Sequence, residues 1–302
     1  MGDRIETLLA NLNRTVVGKS EAIRLVLVAL FSGGHALLED VPGVGKTLLA
    51  RSLAHCIAGR FQRLQCTPDL LPADITGTNI WNPGQGEFQF LPGPVFANIL
   101  LIDEINRATP RTQSALLEVM EEDQVTIDGR SRSVPQPFFA IATQNPAEYH
   151  GTFPLPEAQM DRFALCLSLG YPSQAEELHL VSRLGLPPET QPLDSCLSLT
   201  EVLEIRQLCS QVKLEISLQQ YLVDLVRATR SHPDLSLGVS PRGTLAFGRA
   251  VQALAYLQGR TYVIPDDIKA LALPVLAHRL VTKGSTPPQP IVEDLLATIP
   301  VP

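Results

Sequence analysis

The sequence predicts an α/β protein with a parallel sheet, followed by a region made of helices. From about residue 34 to 170, short β-rich segments alternate with helical patterns, and each β-rich segment ends in a polar or glycine-rich corner. From residue 174 to about 280 the β-rich segments stop, and the pattern indicates four or five helices. We therefore expect a core domain at 1–171 and a helical domain at 172–302.

Five segments of the core domain are predicted to be strands, and the most informative is 98–104. Four consecutive apolar residues there lead into two acids, which is typical of a strand buried in the middle of a parallel sheet. Helices are expected between the strands. One ends near Gly59, and another begins with Thr109 as its N-cap and Pro110 in its first turn. The five predicted strands are 35–39, 60–66, 98–104, 138–145 and 164–169.

Two insertions interrupt this alternation and are predicted to be β-hairpins. In the segment 124–134, alternating apolar residues lead into Asp128-Gly129, a dipeptide that strongly favours a two-residue hairpin turn. The segment 78–93 predicts a looser hairpin around a tip rich in glycine and proline. Its aromatic residues are candidates either for contact with another protein or for packing against the sheet. They are Trp81, Phe88 and Phe90.

The composition argues against two classes of protein. With 24 lysines and arginines against 31 aspartates and glutamates, the formal net charge is −7, so binding of nucleic acid through bulk positive charge is not expected. The longest apolar run, from Leu25 to Phe31, is too short to cross a membrane. Charged residues make up only 18%, against about 25% in typical domains, which leaves surface for contacts with other proteins.

The five cysteines point to a reducing compartment. They form no CxxC pair, and their odd number suits reduced thiols better than a set of disulfides. The first residues carry mixed charge and lack the apolar segment of a signal peptide. We therefore expect a cytoplasmic protein that does not insert into membranes.

A glycine-rich segment between a predicted strand and a predicted helix is a candidate phosphate site. Glycines let backbone N–H groups approach a phosphate, and the following helix presents the positive end of its dipole. There Lys46 would reach the β- and γ-phosphates, and Thr47 would ligate Mg²⁺. The usual pattern has glycine where this chain has Asp40, so a glycine-rich turn that binds no phosphate is the alternative for this segment alone. The segment is Pro42-Gly43-Val44-Gly45-Lys46-Thr47.

Polar residues also end two other predicted strands. Asp103 and Glu104 end the strand 98–104, and Asn145 ends the following one. Because parallel strands deliver these side chains to one edge of the sheet, we expect them near the phosphate site. Asp103 can hold Mg²⁺, Glu104 can polarise the attacking water, and Asn145 can orient that water or contact the γ-phosphate. Considered singly, each has a plainer explanation. Asp103 and Glu104 could be solvated acids at a strand end, and Asn145 could form a turn before Pro146.

Three arginines are candidates for contact with phosphate. Arg162 follows a short predicted helix, where a cation suits the helix dipole without further function. Arg242 follows Ser240-Pro241, an N-cap and a first turn, so its charge opposes the dipole unless an anion such as a nucleotide phosphate faces it. Arg111 likewise follows an N-cap and a first-turn proline, Thr109-Pro110, so its charge also opposes the helix dipole. A phosphate, an acidic partner or a surface salt bridge would each explain it.

Taken together, the motifs resemble those of the MoxR family of AAA+ ATPases. The resemblance covers nearly all of residues 15–280, in the segments LLEDVPGVGKT, ILLIDEINRATPRTQSALLEVMEEDQVTIDG, IATQNP, GTFPLPEAQMDRF and VSPRG. It implies a P-loop αβα core with a five-stranded parallel sheet, an all-helical lid, a nucleotide between them, and assembly into a ring, usually a hexamer. It also implies that the two hairpins are the helix-2 insert and the pre-sensor-1 insert, which face the pore or the substrate side of the ring.

The resemblance also implies roles for individual residues. Asp103 and Glu104 correspond to the Walker B acids, and Asn145 corresponds to sensor 1. Arg162 corresponds to the arginine finger that reaches a neighbour's γ-phosphate, and Arg242 corresponds to sensor 2 on the lid. The adenine pocket corresponds to Val16, Val17 and Gly18, and the Walker A loop with its first helical residues corresponds to Pro42, Gly43, Val44, Gly45, Lys46, Thr47 and Leu48.

The function that the resemblance implies is hydrolysis of ATP, with Mg²⁺ as cofactor, to drive chaperone-like remodelling or maturation of a protein client. In this family the partner is often a von Willebrand factor A domain protein, and the work is often insertion of a metal cofactor. One alternative is a metal-chelatase subunit of the same architecture. Another is a DNA-dependent helicase-like motor, for which the second hairpin supplies just Arg130 and Arg132. A nucleotide sensor without hydrolysis is disfavoured, because the whole set of catalytic residue types is present.

Overall fold

The core of the molecule is a parallel sheet between layers of helices, as the sequence predicts. A computed structural model describes residues 2–145, 151–182, 195–284 and 287–302. In chain order its strands are β1 (Ala36–Glu39), β2 (Phe61–Gln65), β3 (Gly77–Asn82), β4 (Glu87–Pro92), β5 (Ile99–Asp103), β6 (Gln124–Ile127), β7 (Arg130–Ser133), β8 (Phe139–Gln144), β9 (Leu165–Leu167), β10 (Leu235–Leu237) and β11 (Val281–Thr282). Its helices are α1 (Gly2–Thr15), α2 (Ser20–Phe31), α3 (Lys46–Cys56), α4 (Pro72–Thr76), α5 (Pro110–Glu122), α6 (Glu157–Met160), α7 (Gln174–Ser182), α8 (Leu199–Ser210), α9 (Ile216–Ser231), α10 (Pro241–Leu257), α11 (Pro265–Leu276) and α12 (Pro288–Thr298), with short 3-10 turns at Ile105–Arg107 and Ala277–Arg279.

The main sheet contains five parallel strands in the order β2-β5-β8-β1-β9. These are the five strands predicted from the sequence. Every residue of β5 is buried, because helices cover both faces of the sheet. The register pairs Ile102 of β5 with Ala142 of β8, so the polar residues that follow these two strands emerge at the same edge. The sheet order thus brings the acids after β5 and Asn145 after β8 together.

Alternate residues of each central strand pack against different helices. Ile99 and Leu101 of β5 belong to a cluster that also contains residues of α1, α2 and α3, whereas Leu100 and Ile102 belong to the cluster formed with α5. This two-residue alternation is what a strand between two helical layers requires. The first cluster continues without a break into α8, α9, α10 and α11, so the C-terminal helices share their apolar core with α2.

Both predicted hairpins are present, and they contact each other. In the β6–β7 hairpin, Asp128 and Gly129 have φ values of 49° and 73°, the left-handed conformations of a tight two-residue turn. The Nδ2 atom of Asn79, in the β3–β4 hairpin, donates a hydrogen bond of 2.6 Å to Oδ2 of Asp128. The guanidinium of Arg132 stacks over the ring of Phe90, 4.1 Å from its centroid. The two inserts therefore form one connected surface unit.

The region after β9 is mostly helical, with two additions to what the sequence predicts. Five helices, α7 to α11, fall in the described part of residues 174–280. The structure adds α12, and it adds a small antiparallel ladder between β10 and β11, whose strands of three and two residues are too short to give a recognisable sequence pattern. Among the described residues, no helix is long and apolar enough to cross a membrane. The five cysteines are free thiols, as expected.

Candidate functional site

The glycine-rich segment forms the loop between β1 and α3, and its backbone has the conformation of a phosphate cradle. Gly43 and Gly45 have φ values of 87° and 101°, a region that other residues rarely adopt, and the space that a Cβ atom would enter is open at both. The helix α3 begins at Lys46, so its free N–H groups point toward that space. The Nζ atom of Lys46 donates to the backbone oxygens of Asp40, at 3.0 Å, and Val41, at 3.2 Å.

Asp40, which replaces the first glycine of the usual pattern, has a structural role. Its backbone does not need glycine, because it is not among the positive-φ positions of the described chain. Its buried carboxylate accepts hydrogen bonds from the Ser168 hydroxyl at 2.6 Å, the Leu169 N–H at 2.7 Å and the Gly170 N–H at 3.0 Å. The side chain therefore ties the phosphate loop to the segment that follows β9 and leads toward the C-terminal helices.

The two acids at the end of β5 are oriented by the neighbouring strands. Glu104 has a φ of 56°, a left-handed conformation that is uncommon for a residue with a side chain and is often found at functional sites. Its N–H donates to the hydroxyl of buried Thr143 at 2.9 Å, and that hydroxyl donates to Oδ1 of Asp103 at 3.3 Å. Nε of Arg63, on β2, donates to Oδ2 of Asp103 at 2.6 Å.

The carboxylate of Glu104 has two partners that the sequence does not reveal. Gln65, at the end of β2, donates from Nε2 to Oε2 of Glu104 at 2.9 Å. Arg107 donates from Nη1 to the same oxygen at 3.0 Å. Gln65 lies 39 residues before Glu104 in the chain, and only the pairing of β2 with β5 brings them together. A glutamine at the end of a predicted strand that neighbours the acidic strand is the one signal that could have suggested this contact.

A cavity of about 380 Å³ joins the phosphate loop to these acids. The sequence-predicted site residues that line it are Pro42, Gly43, Gly45, Lys46, Thr47, Leu48, Asp103, Glu104 and Asn145. Arg63, Gln65 and Thr143 line it as well, and Pro146 lies outside the described residues. Val44, which belongs to the same loop, does not line the cavity. It is partly buried and packs against the hydrophobic core.

The chemistry of this cavity suits a nucleotide phosphate with Mg²⁺. The hydroxyl of Thr47 and the carboxylate of Asp103 are the hard oxygen donors that Mg²⁺ prefers. The open cradle at Gly43 and Gly45 leaves room for phosphate oxygens beside the N-terminus of α3.

A second, larger cavity of about 680 Å³ lies between the core and the C-terminal helices, and its lining is mainly apolar. Gly18 and Leu169 line it from the core side, and Leu273 and Ala277 line it from the other side. Its position between core and lid matches the place that the family resemblance implies for the nucleotide. The structure brings only Gly18 of the three predicted adenine-pocket residues into this lining, since Val16 is buried in the core and Val17 is half-buried.

The two catalytic arginine candidates lie together, in a pocket separate from the cavity of the phosphate loop. Nη2 of Arg162 lies 3.0 Å from Oε2 of Glu121, and Nη2 of Arg242 donates to Oε1 of the same carboxylate. The hydrogen bond from Arg242 lowers the pKa of Glu121 below its ordinary value, and the charge of Arg162 adds to this effect. Within the described residues, neither arginine lines the cavity that contains Lys46.

The structure also shows the surroundings of the remaining candidates. Ser240 caps α10, as expected, because its hydroxyl accepts a hydrogen bond from the Gly243 N–H. The anion that faces Arg242 at this helix N-terminus is Glu121. Arg111 is exposed in the first turn of α5. On the first hairpin, Trp81 and Phe88 are exposed and touch edge to face, whereas Phe90 packs on Phe96.

This protein is an AAA+ ATPase. The class is defined by a P-loop cradle, a buried strand that ends in two acids, and a helical lid. A family model described as "ATPase family associated with various cellular activities (AAA)" matches residues 35–165, and a model of the AAA lid domain matches residues 227–299. A protein from Cytophaga hutchinsonii assigned as an ATPase has a crystal structure with a TM-score of 0.93 and 37% identity, covering 100% of this chain and 96% of that one.

Curated relatives define the family within this class. The chain is 41% identical to chaperone MoxR1 of Mycobacterium tuberculosis, over 99% of this chain and 82% of that protein. It is 46% identical to the uncharacterized protein YeaC of Bacillus subtilis, over 97% of this chain and 93% of that protein. The chain therefore belongs to the MoxR family of AAA+ ATPases.

Proposed function

We propose that this ATPase acts as a ring, usually of six subunits by analogy with the family, in which each nucleotide is bound by one subunit and its hydrolysis is completed by the next. The observation that supports this proposal is the separation of Lys46, Asp103 and Glu104 from Arg162 and Arg242, which occupy different pockets of one chain. Hydrolysis of ATP spreads negative charge over the γ-phosphoryl oxygens, and arginines neutralise that charge. A second copy of the chain would bring them to the phosphate.

In the proposed reaction each residue near the cradle has one task. Lys46 binds the β- and γ-phosphates after it leaves the backbone oxygens of the loop, and Glu104 orients the attacking water while Asn145 contacts the γ-phosphate. Thr47 and Asp103 would hold Mg²⁺, which would supply further positive charge to the phosphate oxygens. Arg162 of the next subunit acts as the finger, a contribution that is typically about 10³–10⁵ in rate. Arg242 acts as sensor 2 from the same direction.

Complementation between two inactive variants tests the ring. Glu104→Gln disables the water-orienting acid of its own subunit, and Arg162→Ala disables the finger that it offers to a neighbour. In a mixture, some interfaces pair an intact Glu104 with an intact Arg162, so we expect ATPase activity to return. A mixture of Glu104→Gln with Lys46→Ala is the matched control, because every site then lacks one of its own residues and no activity should return. No recovery at any ratio of the first pair would contradict the shared site.

The proposed work of the ring is remodelling or maturation of a protein client. Metal-cofactor insertion is one form of this work, and a von Willebrand factor A domain protein is one candidate client. Trp81 and Phe88 are 54% and 70% exposed, and these apolar rings on the first hairpin would contact the client. Capture with the Glu104→Gln variant in ATP should retain a client with such a domain. The Lys46→Ala variant, which cannot hold nucleotide, should not retain it. Capture that is equal with both variants would contradict ATP-dependent client binding.

The alternatives differ in what they require of the hairpins and partners. A helicase-like motor would use Arg130 and Arg132, but Arg132 is already stacked on Phe90, which leaves one of the two available for a nucleic-acid backbone. Stimulation of the ATPase by single-stranded DNA, lost steeply with salt, would favour that motor. A metal-chelatase subunit would instead bind a chelatase partner in the same capture experiment.

A further inference from the structure

We propose that Glu121 is an internal, displaceable counterion: it occupies the anion site formed by Arg162, Arg242 and Arg249, and it leaves when the terminal phosphate of ATP held by a second copy of the chain enters. This inference rests on the proposed shared site and adds to it a residue that controls access. Glu121 stands in the last turn of α5, 41 and 121 residues away in sequence from the two arginines it joins.

The pocket around Glu121 has the composition of an anion site. It encloses about 220 Å³, and its charged lining residues are four arginines and two carboxylates. One pair is already matched, because Nε of buried Arg279 donates to Oδ1 of Asp161 at 2.8 Å. His35, which also lines the pocket, does not add charge near neutral pH, because burial lowers its pKa to about 4. Glu121 is therefore the one carboxylate that faces the remaining three arginines of the described lining.

Glu121 uses the hydrogen-bonding capacity of Arg162 incompletely. Among the described residues, Nε of Arg162 is buried and has no hydrogen-bond partner, while Nη2 of the same guanidinium pairs with Glu121. A phosphate has three terminal oxygens and can accept from Nε and Nη2 side by side, as guanidinium–phosphate pairs commonly do. A buried donor without a partner is unfavourable, so a phosphate in this pocket would gain a contact that Glu121 does not provide.

The helix dipoles also favour exchange of the carboxylate for a phosphate. Glu121 lies at the C-terminal end of α5, where a negative charge is unfavourable, whereas Arg242 lies in the first turn of the 17-residue helix α10, where an anion is favourable. The side chains of Glu121, Arg162 and Arg242 are 28–46% exposed, and ion pairs between partly exposed side chains are weak. A dianionic γ-phosphate can therefore displace Glu121 at small cost.

Binding of inorganic tripolyphosphate to the isolated subunit tests the anion site without the ring. Lys46→Ala is used as background so that the phosphate loop does not contribute. In this background Glu121→Gln, which removes the charge and keeps the shape, should tighten tripolyphosphate binding about fivefold by calorimetry. Arg249→Ala or Arg162→Ala, added to the variant that carries both Lys46→Ala and Glu121→Gln, should weaken tripolyphosphate binding again. Glu122→Gln, which removes the same charge from the next exposed residue, is the control and should give no change. Equal affinity with and without Glu121 would overturn the proposal.

The concentration dependence of ATP hydrolysis tests the same exchange in the assembled protein. Because Glu121 competes with the neighbour's phosphate, Glu121→Gln should lower the protein concentration that gives half-maximal specific activity, again by about fivefold, and Glu122→Gln should not. Ring formation in a non-hydrolysable ATP analogue, followed by mass photometry, should shift in parallel. A lower maximal rate with an unchanged half-maximal concentration would overturn the proposal, because Glu121 would then hold the arginines in their working positions. Glu121→Gln could tighten tripolyphosphate binding while the specific activity of the wild type does not depend on protein concentration. That result would contradict the proposed shared site and support the role of Glu121 as an internal counterion.

Discussion

The side-chain amide of Gln65 donates a hydrogen bond of 2.9 Å to Oε2 of Glu104, the carboxylate that would orient the attacking water. Arg107 donates to the same oxygen, so this oxygen already has two donors in the subunit. A carboxylate oxygen that is engaged by two protein donors is a poorer acceptor for the proton of a water molecule. In the proposed reaction, the contact with Gln65 would therefore weaken Glu104 as the acceptor for that proton.

We expect Gln65→Leu to raise the basal ATPase rate at saturating ATP by about two- to fivefold, because removal of one donor frees the oxygen of Glu104. The KM for ATP should stay near that of the wild type. Steady-state kinetics measures both quantities. Gln62→Leu, on the same strand and without contact to the acid in the described structure, is the control. A decrease of the rate would mean that Gln65 positions Glu104 productively.

Restoring the usual glycine at position 40 should destabilise this protein. Asp40→Gly removes the acceptor of three hydrogen bonds. It takes the acceptor from the Leu169 N–H and leaves the Gly170 N–H with the Ser168 hydroxyl at 3.1 Å. We expect the free energy of unfolding to fall by about 2–4 kcal/mol. Urea denaturation followed by circular dichroism measures this loss. Asp40→Asn keeps one acceptor oxygen and should lose less; a glycine variant as stable as the wild type would show that these contacts do not contribute.

The buried imidazole of His35 predicts a loss of stability in mild acid. The Ala140 N–H donates to its Nδ1 at 3.1 Å, so its Nε2 carries the hydrogen that binds the backbone oxygen of Met120 at 2.8 Å, and the ring is neutral. Burial lowers the pKa of His35 from 6.5 to about 4. Between these values the unfolded chain binds a proton that the folded chain does not, so stability is retained above pH 6.5 and falls as the pH decreases toward 4.

From pH 7.5 to 5.0 this histidine should lower the free energy of unfolding by about 2 kcal/mol. In His35→Gln that part of the loss should disappear, even though the variant is less stable at pH 7.5. His278 also has a lowered pKa through burial, so some pH dependence will stay. Urea denaturation at the two pH values measures the difference, with the exposed His55→Gln as control. An unchanged pH dependence in His35→Gln would contradict the buried neutral ring.

Several elements could be predicted from the sequence because local chemistry specifies them. The apolar run of β5 followed by two acids, the Asp128-Gly129 turn and the Ser240 cap of α10 each depend on neighbours within a few residues. The short strands β10 and β11 could not be predicted, since two or three residues carry no periodic pattern.

Contacts between distant segments had no such local signature. The sequence suggested that an anion faces Arg242, but it offered no means of choosing between a phosphate and Glu121, which lies 121 residues away. It marked Asp40 as a departure from the phosphate-loop pattern, and the partners at Ser168 to Gly170 become visible only when β1 and β9 lie side by side.

The sequence by itself determined the α/β core, the residue types of the phosphate cradle and the two acids after β5, because a parallel strand and a helix N-terminus impose their own local patterns. The tertiary structure alone decided which distant side chains these residues contact in a single subunit. Gln65 reaches Glu104, and Glu121 reaches Arg162 and Arg242, through the order of strands and the packing of α5 against its neighbours. Such pairs depend on distances between segments far apart in the chain, for which composition, periodicity and spacing carry no information.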